Sequence, residues 1–228
     1  MQPYFFPYIG YWQLLSAVDR FVVYDNIQFT KKSWIRRNRI LLNGTDKYIT
    51  LPIKKDSDYL DISERYLSEG YPQEQQKLLN QIRMAYKKAP YFNHVYPLIE
   101  ECITYENNNL FQFIYYSIIK VANYLDIQTE IIVSSNIKIS PALKNKERVI
   151  ETCKTLNGEV YINLVGGQTL YNKNEFFHNE IELSFIQVEE REYKQFDNLF
   201  IPNLSIIDVM MFNSKEMIQD MIHAYKII

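Results

Sequence analysis

Apolar residues recur at two spacings along the chain, and the changes between them mark its elements. Tyr11 to Val18 has the spacing of a short helix, which leads through Asp19-Arg20 into FVVYD, a compact apolar run that reads as a buried strand. The runs IRRNRILL and KYITLPI flank Asn43-Gly44, the turn chemistry of a β-hairpin. From Pro72 to Tyr86 the pattern is helical, with Pro72 near its start and Pro90 beyond its end. PLIEECITYENNNLFQFIYYSIIKVANYLDI predicts two further helices, the second capped by one of the Asn107 to Asn109 amides. The later half alternates: TEIIVSS is a strand, KNKERVIETCKTLNG a helix ended by Gly158, and EVYINLV and IELSFIQV are strands. The C-terminal stretch from Leu204 is helical on both sides of Asn213-Ser214. Alternation of this kind predicts an α/β fold with a mainly parallel sheet, joined by the hairpin and by residues 72–126 as a helical insertion. No repeat, low-complexity stretch or linker divides residues 1–228, so a single domain is expected.

One segment fits neither period. The opening MQPYFFPYIGYWQLL carries a run of aromatic rings too large for a solvated tail, while Pro3, Pro7 and Gly10 forbid a regular helix or strand through them. A buried, irregular, ring-lined loop is predicted. With 228 residues and 47% hydrophobic content the chain has ample material for a core. Its 19 tyrosines and 13 phenylalanines supply stacking faces as well as core. The net charge of −2, from 25 basic and 27 acidic residues, provides no global field for nucleic acid, so a basic site would be a pocket rather than a surface. Cys102 and Cys153 lack metal spacing and suit a reducing cytoplasm as core thiols. No apolar run reaches the roughly 18 residues of a membrane span, and the N-terminus lacks the regions of a signal peptide. A cytoplasmic location is therefore expected.

Four places carry candidate chemistry. In VYINLVGGQTLYN a strand runs into Gly166-Gly167, where a loop leaving a strand's carboxyl end lines the ligand crevice of a parallel sheet and glycines permit close backbone approach. The spacing is neither GxGxxG nor Walker, so those binding modes are unsupported, and an ordinary glycine turn is the plain alternative. DNIQFTKKSWIRRNR crowds Asp25, Gln28, Lys32, Trp34, Arg37 and Asn38 behind a buried strand, a set suited to clamping a nucleotide diphosphate, or else a solvated hairpin face. Asp208 lies between apolar neighbours, as a functional carboxylate or as a helix-edge residue. His94, His178 and His223 show neither metal-like nor triad-like spacing, and no metal is assigned.

The blocks MQPYFFPYIGYWQLL, DRFVVYDNIQFTKKSWIRRNRI, YKKAPYF, VYINLVGGQTLYNKNEF and LSIIDVMMFN occur in this order over nearly the whole chain, which closely resembles the WbqC-like family of bacterial proteins. The family pattern has Asn-Arg-Asn after the tryptophan where this chain has Arg36-Arg37-Asn38, so a role for position 36 is left open. The family also carries a few apolar residues before the Met-Gln-Pro block. The resemblance thus implies a first strand ahead of residue 1, with poor solubility if it is lost, and makes QPYFFPYIGY the loop from that strand to the first helix. The order of elements is similar to the first half of HIGH-type nucleotidylyltransferase folds, without their histidines, so the expected sheet is Rossmann-like and the analogy concerns fold alone.

WbqC-like genes accompany O-antigen and other surface-polysaccharide clusters. The resemblance implies N-acyl or aminoacyl transfer, such as glycyl transfer, from a carrier-protein thioester or other activated donor to a nucleotide-linked amino sugar, with no cofactor. Such a reaction needs a base, oxyanion donors and a nucleotide clamp. Asp25 or Asp208 would be the base, while Asn38, Asn163 and the Gly166 and Gly167 amides would hold the oxyanion. Gln2, Tyr4, Tyr8, Tyr11, Gln28, Lys32, Trp34, Arg37, Tyr161 and Tyr171 would bind substrate. Adenylate or nucleotidyl transfer on the same fold, or a non-catalytic partner of glycan-assembly enzymes, are the alternatives.

Overall fold

The computed structural model describes residues 1–228. In chain order it contains α1 (Ile9–Ser16), β1 (Arg20–Val23), β2 (Arg37–Leu42), β3 (Thr45–Thr50), α2 (Tyr71–Tyr86), α3 (Phe92–Ile103) and α4 (Leu110–Tyr124). There follow β4 (Glu130–Val133), α5 (Asn145–Thr155), β5 (Val160–Leu164), α6 (Lys173–Phe177), β6 (Glu182–Val188), α7 (Ile206–Phe212), α8 (Lys215–Ile222) and β7 (Tyr225–Ile227). The hairpin forms with Asn43 and Gly44 both at positive φ, as an Asn-Gly turn requires. Asn109 caps α4, its side-chain oxygen accepting from Gln112 N at 3.1 Å.

The chain is α/β, but the expected single parallel sheet is divided. β1 pairs with β4 in parallel, and β5 pairs with β6 in parallel, with β7 antiparallel on the far edge of β6. No ladder joins the two sheets; at the second edge of β1 the Met1 amine donates to Val22 O and its carbonyl accepts from Tyr24 N. α1 bridges the halves instead. From its buried face Gln13 donates to the carbonyls of Met221 and Ala224 at 2.8 and 2.9 Å. The C-terminal helix also ends earlier than its sequence pattern implies: after Ile222 the chain turns to become β7, and Phe185 and Ile228 exchange both backbone bonds at 2.9 Å. The unfilled edge of β6 outweighs local helical preference there. α6, five residues long, is too short to leave a period in the sequence.

A core cluster of 47 buried residues takes in the opening loop, α1, the hairpin, α2 to α4, α7 and α8, so residues 72–126 are packed into the body rather than appended to it. A smaller cluster of Val149, Phe176, Ile181, Leu183 and Phe185 lies beneath α5 and α6 on the other face of β5 and β6.

The aromatic opening is buried and irregular, with Phe5 and Phe6 sealed and Phe6 at φ 43°, in the left-handed region. Such a path leaves backbone groups without secondary-structure partners, and side chains from distant elements supply them. Asn38 Nδ2 donates to Phe5 O at 3.0 Å and Phe6 O at 2.7 Å, Ser205 Oγ to Phe6 O at 2.7 Å, and Trp12 Nε1 to Pro7 O at 3.0 Å. Backbone bonds from Phe5 N to Trp34 O and from Ile206 N to Pro7 O complete the set. Asn38→Ala leaves Phe5 O without a donor and Phe6 O with Ser205 Oγ alone, and is expected to lower stability by about 1–3 kcal/mol. Urea unfolding checks this, and a loss below about 0.5 kcal/mol would show that the loop holds itself.

Candidate functional site

The carboxyl ends of β1, β4 and β5 lie at one end of the parallel pairs, the place where ligands bind in open α/β folds. β1 delivers Tyr24, Asp25 and Asn26, β4 delivers Ser134 and Ser135, and β5 delivers Asn163 and the glycines that follow. Asp25 is held firmly: its Oδ1 accepts from Ser134 Oγ at 2.8 Å and from Ser135 N at 3.0 Å, while its Oδ2 has no partner in the protein. Arg148 reaches over from α5, donating from Nη1 to Asn26 O at 3.0 Å and from Nη2 to Asn26 Oδ1, and its guanidinium lies 5.2 Å from the Tyr24 ring centre. No carboxylate pairs with it, since the ion pairs of the chain use other residues. Asp61 stands close enough to feel both Arg148 and Asp25, and burial raises its pKa.

On the β5 side, Tyr161 stacks on Phe176 with ring centres 5.4 Å apart and meets Tyr171 edge-on. Burial, followed by Tyr171, pushes the Tyr161 hydroxyl well above its ordinary pKa, so it remains a neutral donor. Asn163 Nδ2 makes only a long bond of 3.3 Å to Tyr161 OH and lies against Gly167. Gly166 and Gly167 open a 3-10 turn over Val165–Leu170. A Cβ at Gly167 would stand 2.8 Å from Asn163 Nδ2, whereas one at Gly166 would meet nothing within 4 Å. A side chain at position 167 would therefore push the Asn163 amide away from Tyr161 OH.

The remaining sequence candidates divide. Tyr4, Tyr8 and Tyr11 cluster at the opening loop, and burial raises the pKa of each. Tyr11 is fully buried and its hydroxyl has no partner. Gln2 is half-buried beside them, and Gln28 is exposed with its amide on Asp58 O. Lys32, Trp34 and Arg37 lie on a different surface. Alternation along β2 sets Arg37 and Arg39 on the face opposite Asn38, where the Arg37 guanidinium covers Tyr48 at 4.9 Å and Trp34 at 5.9 Å. The expected clamp is therefore an outward aromatic and cationic patch on the hairpin.

Two candidates for catalysis have structural tasks. Both amide hydrogens of Asn38 are committed to the opening loop, which leaves none for an oxyanion. Asp208 is completely buried, with Oδ2 accepting from Tyr86 OH at 2.7 Å and Oδ1 from Tyr193 OH at 2.7 Å and Gln195 Nε2 at 2.8 Å. Tyr86 OH also accepts from Leu41 N, so the carboxylate ties α7 to α2 and the hairpin.

Sequence reasoning missed Arg148, Asn26, Ser134 and Tyr24. An arginine on the solvent side of an ordinary amphipathic helix carries no local signal, and only tertiary packing brings it to Asn26. No three His, Cys, Asp or Glu side chains approach closely enough to hold a metal ion. A cleft of ≈ 380 Å³ lies at the opposite end of β1 and β4, lined by Asp19, Asp126, Gln128, Thr129 and His223 among others, and Asp126 there is paired with Lys215 at 2.6 Å. No helix is long and apolar enough to cross a membrane.

The model of the WbqC-like protein family matches residues 2–220. The chain is 23% identical over 215 residues to the uncharacterized protein Rv1507c of Mycobacterium tuberculosis, covering 93% of this chain and 91% of that one. No solved structure matches.

Two outcomes are expected. Asp208→Asn should cost about 1–3 kcal/mol, the penalty of mispairing a buried hydrogen-bonded group. Burial raises the Asp208 pKa from its ordinary 3.8, so its protonated form is favoured on folding. Its contribution is then full below that value and falls as pH rises through the raised one. The stability gap between wild type and variant should narrow over that window in denaturant melts, and a gap that widens with pH would contradict the assignment. Gly167→Ala should lose about 1–3 kcal/mol through overpacking against Asn163. Gly166→Ala should stay within about 0.5 kcal/mol, and equal losses would make both glycines simple turn residues.

Proposed function

Because the chain belongs to the WbqC-like protein family, which links it to O-antigen and surface-glycan biosynthesis, we propose that it transfers an acyl or aminoacyl group to the amine of a nucleotide-linked amino sugar. The reading is carried by one observation: at the carboxyl ends of the strands Asp25 keeps one oxygen anchored and the other free, beside an arginine with no carboxylate partner. A fixed carboxylate with a free oxygen is suited to orient an amino group, and an unpaired guanidinium is suited to a phosphate. The proposed site is therefore Asp25, Asn26 and Arg148 with Tyr24, Tyr161, Tyr171, Asn163 and Gly167.

The chemistry proceeds from the neutral amine of the sugar. Its nitrogen attacks the carbonyl carbon of a thioester donor, forming the nitrogen–carbon bond. As the tetrahedral intermediate collapses the carbon–sulfur bond breaks, and the proton lost from nitrogen passes through Asp25 to the departing thiolate. Asn163 Nδ2, which spends little on Tyr161, and the amides of the 3-10 turn at Gly166 and Gly167 are the donors for the oxyanion. Tyr24 and the Tyr161–Tyr171 pair offer ring faces for the sugar or base.

The test is titration of dTDP-, UDP- and GDP-linked 4-amino-4,6-dideoxyhexoses by calorimetry, followed by acyl-transfer assay with thioester donors. Arg148→Ala should weaken nucleotide-sugar binding by about 1.5–3 kcal/mol, the worth of a charge-assisted bond. Asp25→Asn should reduce turnover at least about 100-fold, the low end for a lost general base, with nucleotide affinity little changed. Absence of binding by every amino-sugar nucleotide, or full activity in both variants, would overturn the reading.

A further inference from the structure

A second cationic centre lies apart from Arg148, on the inner face of the hairpin. Arg36 precedes Asn38 by two residues and so shares its face, and Leu51 N bonds to Arg36 O at 2.8 Å to continue the hairpin ladder. Arg65 follows a 3-10 turn over Ile62–Glu64 whose Ser63 N bonds to Asp25 O at 2.9 Å, which ties this segment to the end of β1. Arg65 is only 1% exposed. It donates to Ser57 O at 2.7 Å and Lys54 O at 3.1 Å and covers the Phe29 ring at 5.0 Å, yet its buried Nε has no partner. Arg36 is half-buried, its Nε is likewise buried and unpartnered, and none of its nitrogens bonds to a protein acceptor.

Neither guanidinium has a carboxylate within ion-pair distance. Asp58, which feels Arg65, is committed to Lys31 at 2.9 Å. Burial lowers the Arg36 pKa, and repulsion from Arg37 and Arg65 lowers it further, so the charges stand near one another uncompensated. Burying a guanidinium without a counter-charge is costly, and a site of this kind is stabilised by an anion with several acceptor oxygens. The outer arginines share the buried unpartnered Nε but differ in the rest of their forks: Arg39 is paired with Asp46 at 3.0 Å, and Arg37 donates from Nη2 to Lys32 O at 2.8 Å and lies over the Tyr48 ring.

We infer that Arg36 and Arg65 form an anion subsite for a phosphoryl group, with Arg36 as the contacting fork and Arg65 as the buried charge behind it. The Arg36 fork, whose terminal nitrogens have no protein acceptor, and the fully buried Arg65 charge behind it suit a phosphate ester or diphosphate. The inference needs no assumption about which group the protein transfers. The phosphoryl group has two chemical sources in such a site, a nucleotide diphosphate or the phosphodiester of a phosphopantetheine arm, and the experiment separates them.

The wild-type chain and the variants Arg36→Met, Arg36→Lys and Arg37→Met are titrated with inorganic pyrophosphate and with 4′-phosphopantetheine at fixed ionic strength, with circular dichroism confirming the fold of each. Saturable binding that falls at least tenfold in Arg36→Met, is partly restored in Arg36→Lys and is unchanged in Arg37→Met supports the subsite. Preference for pyrophosphate assigns it to a nucleotide diphosphate, and preference for phosphopantetheine to a carrier arm. Binding of neither ligand, or equal affinity in wild type and Arg36→Met, overturns it. Should Arg36→Met not fold, Arg36→Gln serves in its place and the same tenfold criterion applies. Because neither ligand contains an amino sugar, failure here leaves the acyl-transfer reading standing, and failure of that reading leaves this one to its own result.

Discussion

The irregular backbone of Phe5 to Pro7 runs through the core, and its polar groups must find partners there. Their partners come from β2, α1 and the residue before α7, so one short loop fixes the relative positions of three distant parts of the chain. Asn38 contributes most, since its two side-chain hydrogens serve successive carbonyls, Phe5 O with no second donor and Phe6 O shared with Ser205 Oγ. Rings cannot provide this. They fill the space around the loop, but only hydrogen-bond donors cancel the cost of burying its carbonyls.

Charge is distributed on the same logic. The carboxylate of Asp208 lies in the deepest part of the core and is surrounded by three donors, so it joins α7 to α2 and the segment carrying Tyr193 and Gln195. Elsewhere the balance is reversed. Arg148 at the strand ends, and Arg36 and Arg65 at the hairpin, carry charge that no carboxylate pairs with, while Asp25 beside Asn26 presents one anchored and one free oxygen. A fully satisfied buried network stabilises a fold, whereas perturbed charges in a cleft mark candidate functional sites.

Much of the element order was legible because long segments carry their period in the sequence: α2, α4 and the Asn43-Gly44 hairpin are examples. β7 was not legible, since MIHAYKII keeps helical spacing and becomes a strand only where β6 offers an open edge. The division of the parallel strands into two pairs was equally hidden, being set by which edges meet. Among site residues, Asp25, Asn163 and Gly167 follow buried strands and stand out in the sequence. Arg148 and Arg65 do not, because burial without a partner is a property of packing and not of residue type. Trp34, Lys32, Arg37 and Asn38 make a persuasive cluster in one dimension, yet the two-residue period of β2 turns Arg37 and Asn38 to opposite faces.

By itself the sequence determined that the chain is α/β, that its opening is a buried aromatic loop, and to which family it belongs, because hydrophobic period, turn residues and ordered blocks are local properties. Only the tertiary structure decided that Asn38 and Asp208 serve the core and that the inward arginines are 36, 65 and 148. Those outcomes depend on which donors and charges lie within about 3 Å of one another across long stretches of chain, a distance that hydrogen-bond geometry demands and sequence order does not encode.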